Sequence, residues 1–202
     1  MAGAHHAQVV HGTRAFDDLH RRAQDRERRM AELFARPIPP EEALQLVQHK
    51  EALYRERFAP VFREVAGFRA FAADAHGRGL RIGVGTAGDA HNIAFALKHL
   101  AMPEPPHAIV GGDEGLPGKP EPAIFLEVAR RLNVAPARCI VFEDAPLGIE
   151  AARRAGMRAV AVCTGHSAAE LDGPHVLAAI DHYDGLSRAG WFEEMMNAAT
   201  AP

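Results

Sequence analysis

The sequence predicts an α/β fold, a parallel sheet wound with crossover helices and preceded by a helical hairpin. After about residue 60, short apolar runs alternate with amphipathic segments, the pattern of strands buried on both faces. Before that point the spacing is helical throughout. The polar residues that follow the apolar runs are Thr86, Gly111 to Glu114, Glu143-Asp144 and Thr164. They fall at the carboxyl ends of the expected strands, where ligands bind in open parallel sheets.

In chain order, residues 13–59 read as two helices. Phe16, Leu19, Ala23, Met30, Leu33 and Phe34 recur at roughly helical spacing, and "RPIPPEE" stops one helix and starts the next. The second helix, "EEALQLVQHKEALYRERFA", carries Leu44, Val47, Leu53 and Phe58 toward one side. A hairpin with so little core of its own is expected to pack on something else. The short "AQVV" from Ala7 is the only apolar candidate outside the core for a substitute strand, but it reads more like the first turn of this helical region. Beyond "FAPVFREVAG" the expected strands are "LRIGVGT", "HAIVGG", "RCIVFED" and "MRAVAVCT". The helices between them are "GFRAFAADAHGRG", "DAHNIAFALKHL", "PAIFLEVARRL" and "LGIEAARRAG", joined by right-handed crossovers. The division expected is a helical part over 1–60 and an α/β core over 61–202.

A chain of 202 residues, 48% hydrophobic, can bury a sizeable core. A net charge of −3 argues against the broad basic face of a nucleic-acid binder. The cluster "HRRAQDRERR" is interleaved with Asp25 and Glu27 and reads as a solvated helix face. No signal-peptide pattern opens the chain and no apolar span approaches the ~20 residues of a membrane helix, so a cytoplasmic protein without a membrane partner is expected. Cys139 and Cys163 lie in apolar runs and read as free thiols of a reducing compartment. The 12 histidines lack ligand spacing, His5-His6 included.

The stretch "RIGVGTAGDAHN" admits two readings. As Gly83-x-Gly85-x-x-Gly88 it fits a dinucleotide fingerprint, with Asp113 the best acid for a ribose, at a stretched distance. As a strand, then Thr86-Ala87-Gly88, then a helix, it fits a loop that holds one phosphate at a helix N-terminus. Two later stretches favour the second reading. In "GKPEPAIF", Lys119 sits on a glycine turn ahead of a helix; as a plain feature it is a surface lysine beside a helix start. In "VFEDAPLGIEAARRAG", a buried strand ends on Glu143 and Asp144. Adjacent carboxylates repel unless a cation lies near, and Mg²⁺ suits hard oxygen ligands; taken alone, Asp144 also serves as a helix N-cap.

These motifs together resemble the haloacid dehalogenase superfamily, and within it the phosphatases similar to β-phosphoglucomutase. "GVGTAGDAHN" looks like the family's second motif, "GKPEP" its third and "VFEDAPLGIEAARRAGM" its fourth, in the right order. The resemblance implies a Rossmann-like parallel core with an α-helical cap, the cap being the helical hairpin. It also implies that Thr86, with the N–H of Ala87 and the Gly88 turn, binds the transferring phosphate. By the same resemblance Lys119 neutralises it, Glu143 and Asp144 position Mg²⁺, and Arg14 in "HGTRAF" contacts the substrate from the cap. The implied substrate is a small phosphate monoester, in particular a sugar phosphate.

By the same resemblance, the chemistry begins with an aspartate nucleophile in an N-terminal strand that reads DxDGT, the second aspartate acting as general acid and base. No such motif occurs in the sequence. Asp17-Asp18 falls inside the cap helix, and "DHYDGL" from Asp181 has one residue too many between its acids. The first strand is therefore expected to be missing from the sheet centre, between "RIGVGT" and "CIVFED". A truncated gene, a misassigned start and a repurposed relative are all compatible with that. Losing four or five buried side chains removes roughly 10 kcal/mol, comparable to the net stability of a domain. A gap or distorted pairing is expected, with exposed apolar strand faces and self-association. Mg²⁺ is expected to bind weakly to the two remaining carboxylates, and no phospho-aspartate can form. The expected function is a Mg²⁺-dependent phosphohydrolase or phosphosugar mutase, impaired as the chain stands. The alternatives are a non-catalytic phospholigand-binding or interaction protein on the same fold and, behind it, a nicotinamide-dependent oxidoreductase.

Overall fold

The computed structural model describes residues 7–10, 32–186, 191 and 194. The strands are β1 (Ala7–Val10), β2 (Arg81–Gly85), β3 (Ala108–Val110), β4 (Cys139–Glu143), β5 (Arg158–Val162) and β6 (Val176–Ile180). The helices are α1 (Pro40–Phe58), α2 (Phe68–Gly77), α3 (Ala90–Leu100), α4 (Ala123–Leu132) and α5 (Pro146–Arg154). All strand pairs are parallel, in one sheet of order β3-β2-β1-β4-β5-β6. Each strand expected from the apolar runs is present, and the short run "VLAAI", which the sequence reading passed over, adds β6 at one edge.

The centre of the sheet is filled, and this corrects the expectation of a gap. β1 lies between β2 and β4, with Val9 in register with both Gly83 and Val141 and Val10 opposite Phe142. The segment read as the first turn of a helix is thus a strand of the core. Two buried strands with unmet backbone donors and acceptors impose extended pairing on whatever lies between them, and Val9-Val10 suits a pleated surface. Four residues are too few for either periodicity to show, so the sequence offered this run only as an apolar candidate and did not favour it. The empty slot from which self-association was expected does not exist.

Apolar layers cover both faces of the sheet. On one face Phe125, Val128 and Leu132 of α4 and Ala151 and Ala152 of α5 pack against Val141, Ala159 and Ala161. On the other, Phe68 and Phe71 of α2 meet Ile82, Ile140, Phe142, Val160 and Tyr183. Gly83 is a packing glycine, because a Cβ there would stand 2.4 Å from the Val128 side chain. That requirement accounts for the first glycine of the apparent dinucleotide fingerprint without a ligand.

The aromatic residues of the C-terminal half of α1 pack against α3. Tyr54 stacks on Phe58 at 5.3 Å between ring centroids, and Phe58 and Phe62 both touch Phe95 of α3. Leu44, expected on the packed side, is exposed, as are Leu33 and Phe34. No helix among the described residues is long and apolar enough to cross a membrane.

Candidate phosphate site

The register of the three central strands brings their carboxyl ends to one level. Thr86 follows Gly83 by three residues and Asp144 follows Val141 by three, while Gly83 and Val141 both oppose Val9. Two strand spacings separate β2 from β4, roughly 10 Å, so the Thr86 loop and the Glu143-Asp144 pair flank the end of β1 on the same edge.

The loop after β2 is held from both sides. Thr86 is buried, and its N–H donates to Val110 O at 3.0 Å, which extends the pairing with β3. Its Oγ1 accepts from Gly88 N at 3.1 Å, closing a tight turn. The N–H of Gly112 donates to Gly88 O at 2.9 Å and locks the turn to the loop after β3. α3 then starts with Asp89 as N-cap, its Oδ1 accepting from Asn92 N at 2.8 Å, and Asp113 Oδ2 accepts from Ala90 N at 3.3 Å. Two carboxylates thus already take first-turn donors of α3. The N–H of Ala87 has no hydrogen-bond partner among the described residues.

Across β1, Lys119 and Glu143 form a buried ion pair, Nζ to Oε2 at 2.9 Å, with side chains 5% and 0% exposed. Lys119 also lies 4.9 Å above the Phe125 ring centroid. The expectation of a lysine at the strand-end edge holds, but its ammonium is turned inward, not out to solvent. Gly148 of α5 lets Glu143 fit, since a Cβ there would come within 2.0 Å of the Glu143 carboxyl carbon. Asp144 is 2% exposed, and its Oδ2 accepts from the Thr164 hydroxyl at 3.2 Å. Asp144 is the second residue ahead of α5, whose N-cap is Ala145 and has no side-chain cap, so the plain N-cap reading of Asp144 does not describe it.

Two further residues lie near this edge, Thr164, expected at a strand end, and Tyr183, which the sequence reading passed over. Thr164 follows β5 and bonds to Asp144. Tyr183, fully buried, has its phenol pushed well above the usual range, first by burial and then by the charges of Asp144 and Glu143. Asp181 follows β6 and is exposed, and its charge helps raise the Cys163 thiol, behind the larger effect of burial. Arg14, Asp17 and Asp18 lie outside the described residues.

A loop N–H without a partner among the described residues, a buried hydroxyl and a lysine paired with a buried carboxylate thus lie at the carboxyl edge of a parallel sheet, the edge where ligands bind in α/β proteins. The chain belongs to the haloacid dehalogenase-like hydrolase family, whose model matches residues 4–156, β1 included. Over 87 residues it is 44% identical to fructose-1-phosphate phosphatase YqaB of Escherichia coli, covering 43% of this chain and 46% of that protein. Over 84 residues it is 44% identical to β-phosphoglucomutase of Bacillus subtilis, covering 42% and 37%. The chain thus spans about half the length, or less, of these two relatives. A family IA, variant 3 hydrolase from Entamoeba histolytica shares the fold with a TM-score of 0.76 at 19% identity, over 98% of this chain and 100% of that one. β-Phosphoglucomutase from Clostridium difficile does so with a TM-score of 0.70 at 24% identity, over 86% and 77%.

Proposed function

We propose that the chain binds a small phosphate monoester, a sugar phosphate by analogy with its relatives, and that phosphoryl transfer through an aspartate is lost. The observation that carries this reading is the central strand. β1 is "AQVV" and is followed by His11-Gly12-Thr13, so Val9-Val10-His11-Gly12-Thr13 stands in the order DxDGT with valine and histidine at the two acid positions. The strand is present and its carboxylates are not. A phospho-aspartate has no oxygen to form on.

In this reading the Ala87 N–H and the Thr86 hydroxyl receive phosphate oxygens, and Lys119 supplies positive charge from the other side of β1. Mg²⁺, which the family implies, does not fit the described donors. Glu143 Oε2 is engaged by Lys119 and Asp144 Oδ2 by Thr164, and no group of three or more His, Cys, Asp or Glu residues suited to a metal occurs among the described residues. Mg²⁺ requires near-octahedral oxygen ligation. Lys119 is paired with Glu143, and Asp144 adds a second carboxylate at this edge, so phosphate binding is expected to be weak.

The test is an NMR titration of the full chain with inorganic phosphate, with and without Mg²⁺. Shifts of the Thr86, Ala87 and Gly88 amides that saturate equally in EDTA and in Mg²⁺ support the reading. Shifts that require Mg²⁺ contradict it.

A further inference from the structure

Outside the groups placed around the phosphate, one buried amide ties α1 to α3. Asn92 lies in the first turn of α3 and is 1% exposed. α1 uses its carboxamide from both ends. Asn92 Nδ2 donates to Glu51 Oε2 at 2.9 Å, and Arg55 Nη1 donates to Asn92 Oδ1 at 2.8 Å. Glu51 is itself buried, with Oε1 2.6 Å from Lys50 Nζ. Glu51 and Arg55 stand one turn apart on α1 and so share a face, and Asn92 sits against both. Asparagine is a mediocre helix former, and a buried amide is costly unless satisfied. Here α1 satisfies it. Moving α1 away would take both side-chain partners from this amide.

The same residue reaches the loop. The Asn92 N–H donates to Asp89, the cap of α3, and Thr86 closes the preceding turn through Gly88. Two hydrogen bonds therefore link Asn92 to Thr86 along one short run of chain. The Arg55 guanidinium has Asn92 as its only hydrogen-bond partner among the described residues, and forms no ion pair there. Its positive charge thus stands at the first turn of α3, where Asp89 and Asp113 would otherwise set an acidic field.

We propose that Asn92 is a positioning residue: clamped by Glu51 and Arg55, it makes the shape and charge of the Thr86–Gly88 loop depend on α1 being docked, so that phosphate affinity and docking of this helix are one coupled property. The inference rests on the phosphate reading of that loop.

An exchange of side chains tests it, with inorganic phosphate as probe, the loop amides followed by NMR well below the unfolding temperature, and Tm measured in parallel. Asn92→Asp sets a carboxylate against Glu51 and should weaken phosphate binding about tenfold, about 1.4 kcal/mol. Glu51→Gln together with Asn92→Asp restores an amide–carboxylate bond with donor and acceptor exchanged, and should return the affinity to within about twofold of the unsubstituted chain. Arg55→Gln, at a half-buried position, removes the charge and should weaken binding with little change in Tm. If the variants lower Tm but bind phosphate like the unsubstituted chain, or if the exchange recovers Tm and not affinity, the clamp is structural only and the inference is overturned. Absence of any phosphate response in the unsubstituted chain overturns the site reading and this inference with it.

Discussion

Lys119 and Glu143 are each nearly without solvent, so their pairing is a condition of the fold as much as of the site. Lys119→Ala takes the ammonium away from a buried carboxylate and should cost about 3–5 kcal/mol. Glu143→Gln on that background should recover most of the loss, as read from urea unfolding midpoints. Recovery by less than half would mean that the ammonium stabilises through other contacts. Gly148→Ala drives a methyl into the Glu143 carboxyl group, 2.0 Å from its carbon, and overpacking of that kind costs about 1–3 kcal/mol. An unchanged unfolding midpoint would show that Glu143 can move aside. At this scale Thr86, Lys119, Glu143 and Asp144 were legible because each sits in a short stretch whose chemistry is local: a glycine turn, a strand end, a helix start. Asn92, Glu51 and Arg55 were not, because their meaning lies in a contact between α1 and α3 that no local pattern announces.

Elements away from the site carry their own pH response. Where α2 ends and β3 begins, His76 and His107 stack with centroids 4.7 Å apart, and His107 Nδ1 accepts from Ile82 N at 3.1 Å. Burial, then the neighbouring His76 and Arg81, lower the His107 pKa, while Glu104 acts the other way. A histidine with a folded pKa below its unfolded value of about 6.5 contributes fully above that pH, and its contribution falls as the pH drops below it. Tm should therefore decline between pH 7 and pH 5.5, by about 2–4 °C for each 1 kcal/mol lost. His175, also lowered chiefly by burial, adds to the decline. His107→Asn keeps an acceptor near Ile82 without a titrating ring and should flatten part of the slope; an unaltered slope would remove His107 from this account. Four strands and the crossover helices were legible in alternating periodicity. β1 and β6 were not. β1 spans four residues, too short for any period, and β6, "VLAAI", is an edge strand whose half-buried residues give no clear alternation.

The whole molecule is a family sheet with its centre intact and its central acids absent. Adding a further N-terminal strand would find no slot between β2 and β4. Mg²⁺-dependent turnover is instead expected in a chain carrying Val9→Asp and His11→Asp, which returns two carboxylates to the acid positions of the DxDGT order. In the proposed reading the unsubstituted chain binds an anion weakly and does not complete a Mg²⁺ shell. The most direct measurement is hydrolysis of β-glucose 1-phosphate and of p-nitrophenyl phosphate by the purified 202-residue chain in Mg²⁺. The expected result is no release of phosphate above the buffer blank, while the loop amides still respond to phosphate. Robust Mg²⁺-dependent turnover, abolished by Asp144→Asn or by Asp181→Asn, would contradict the account and show that another group in this chain does the work of the missing aspartate.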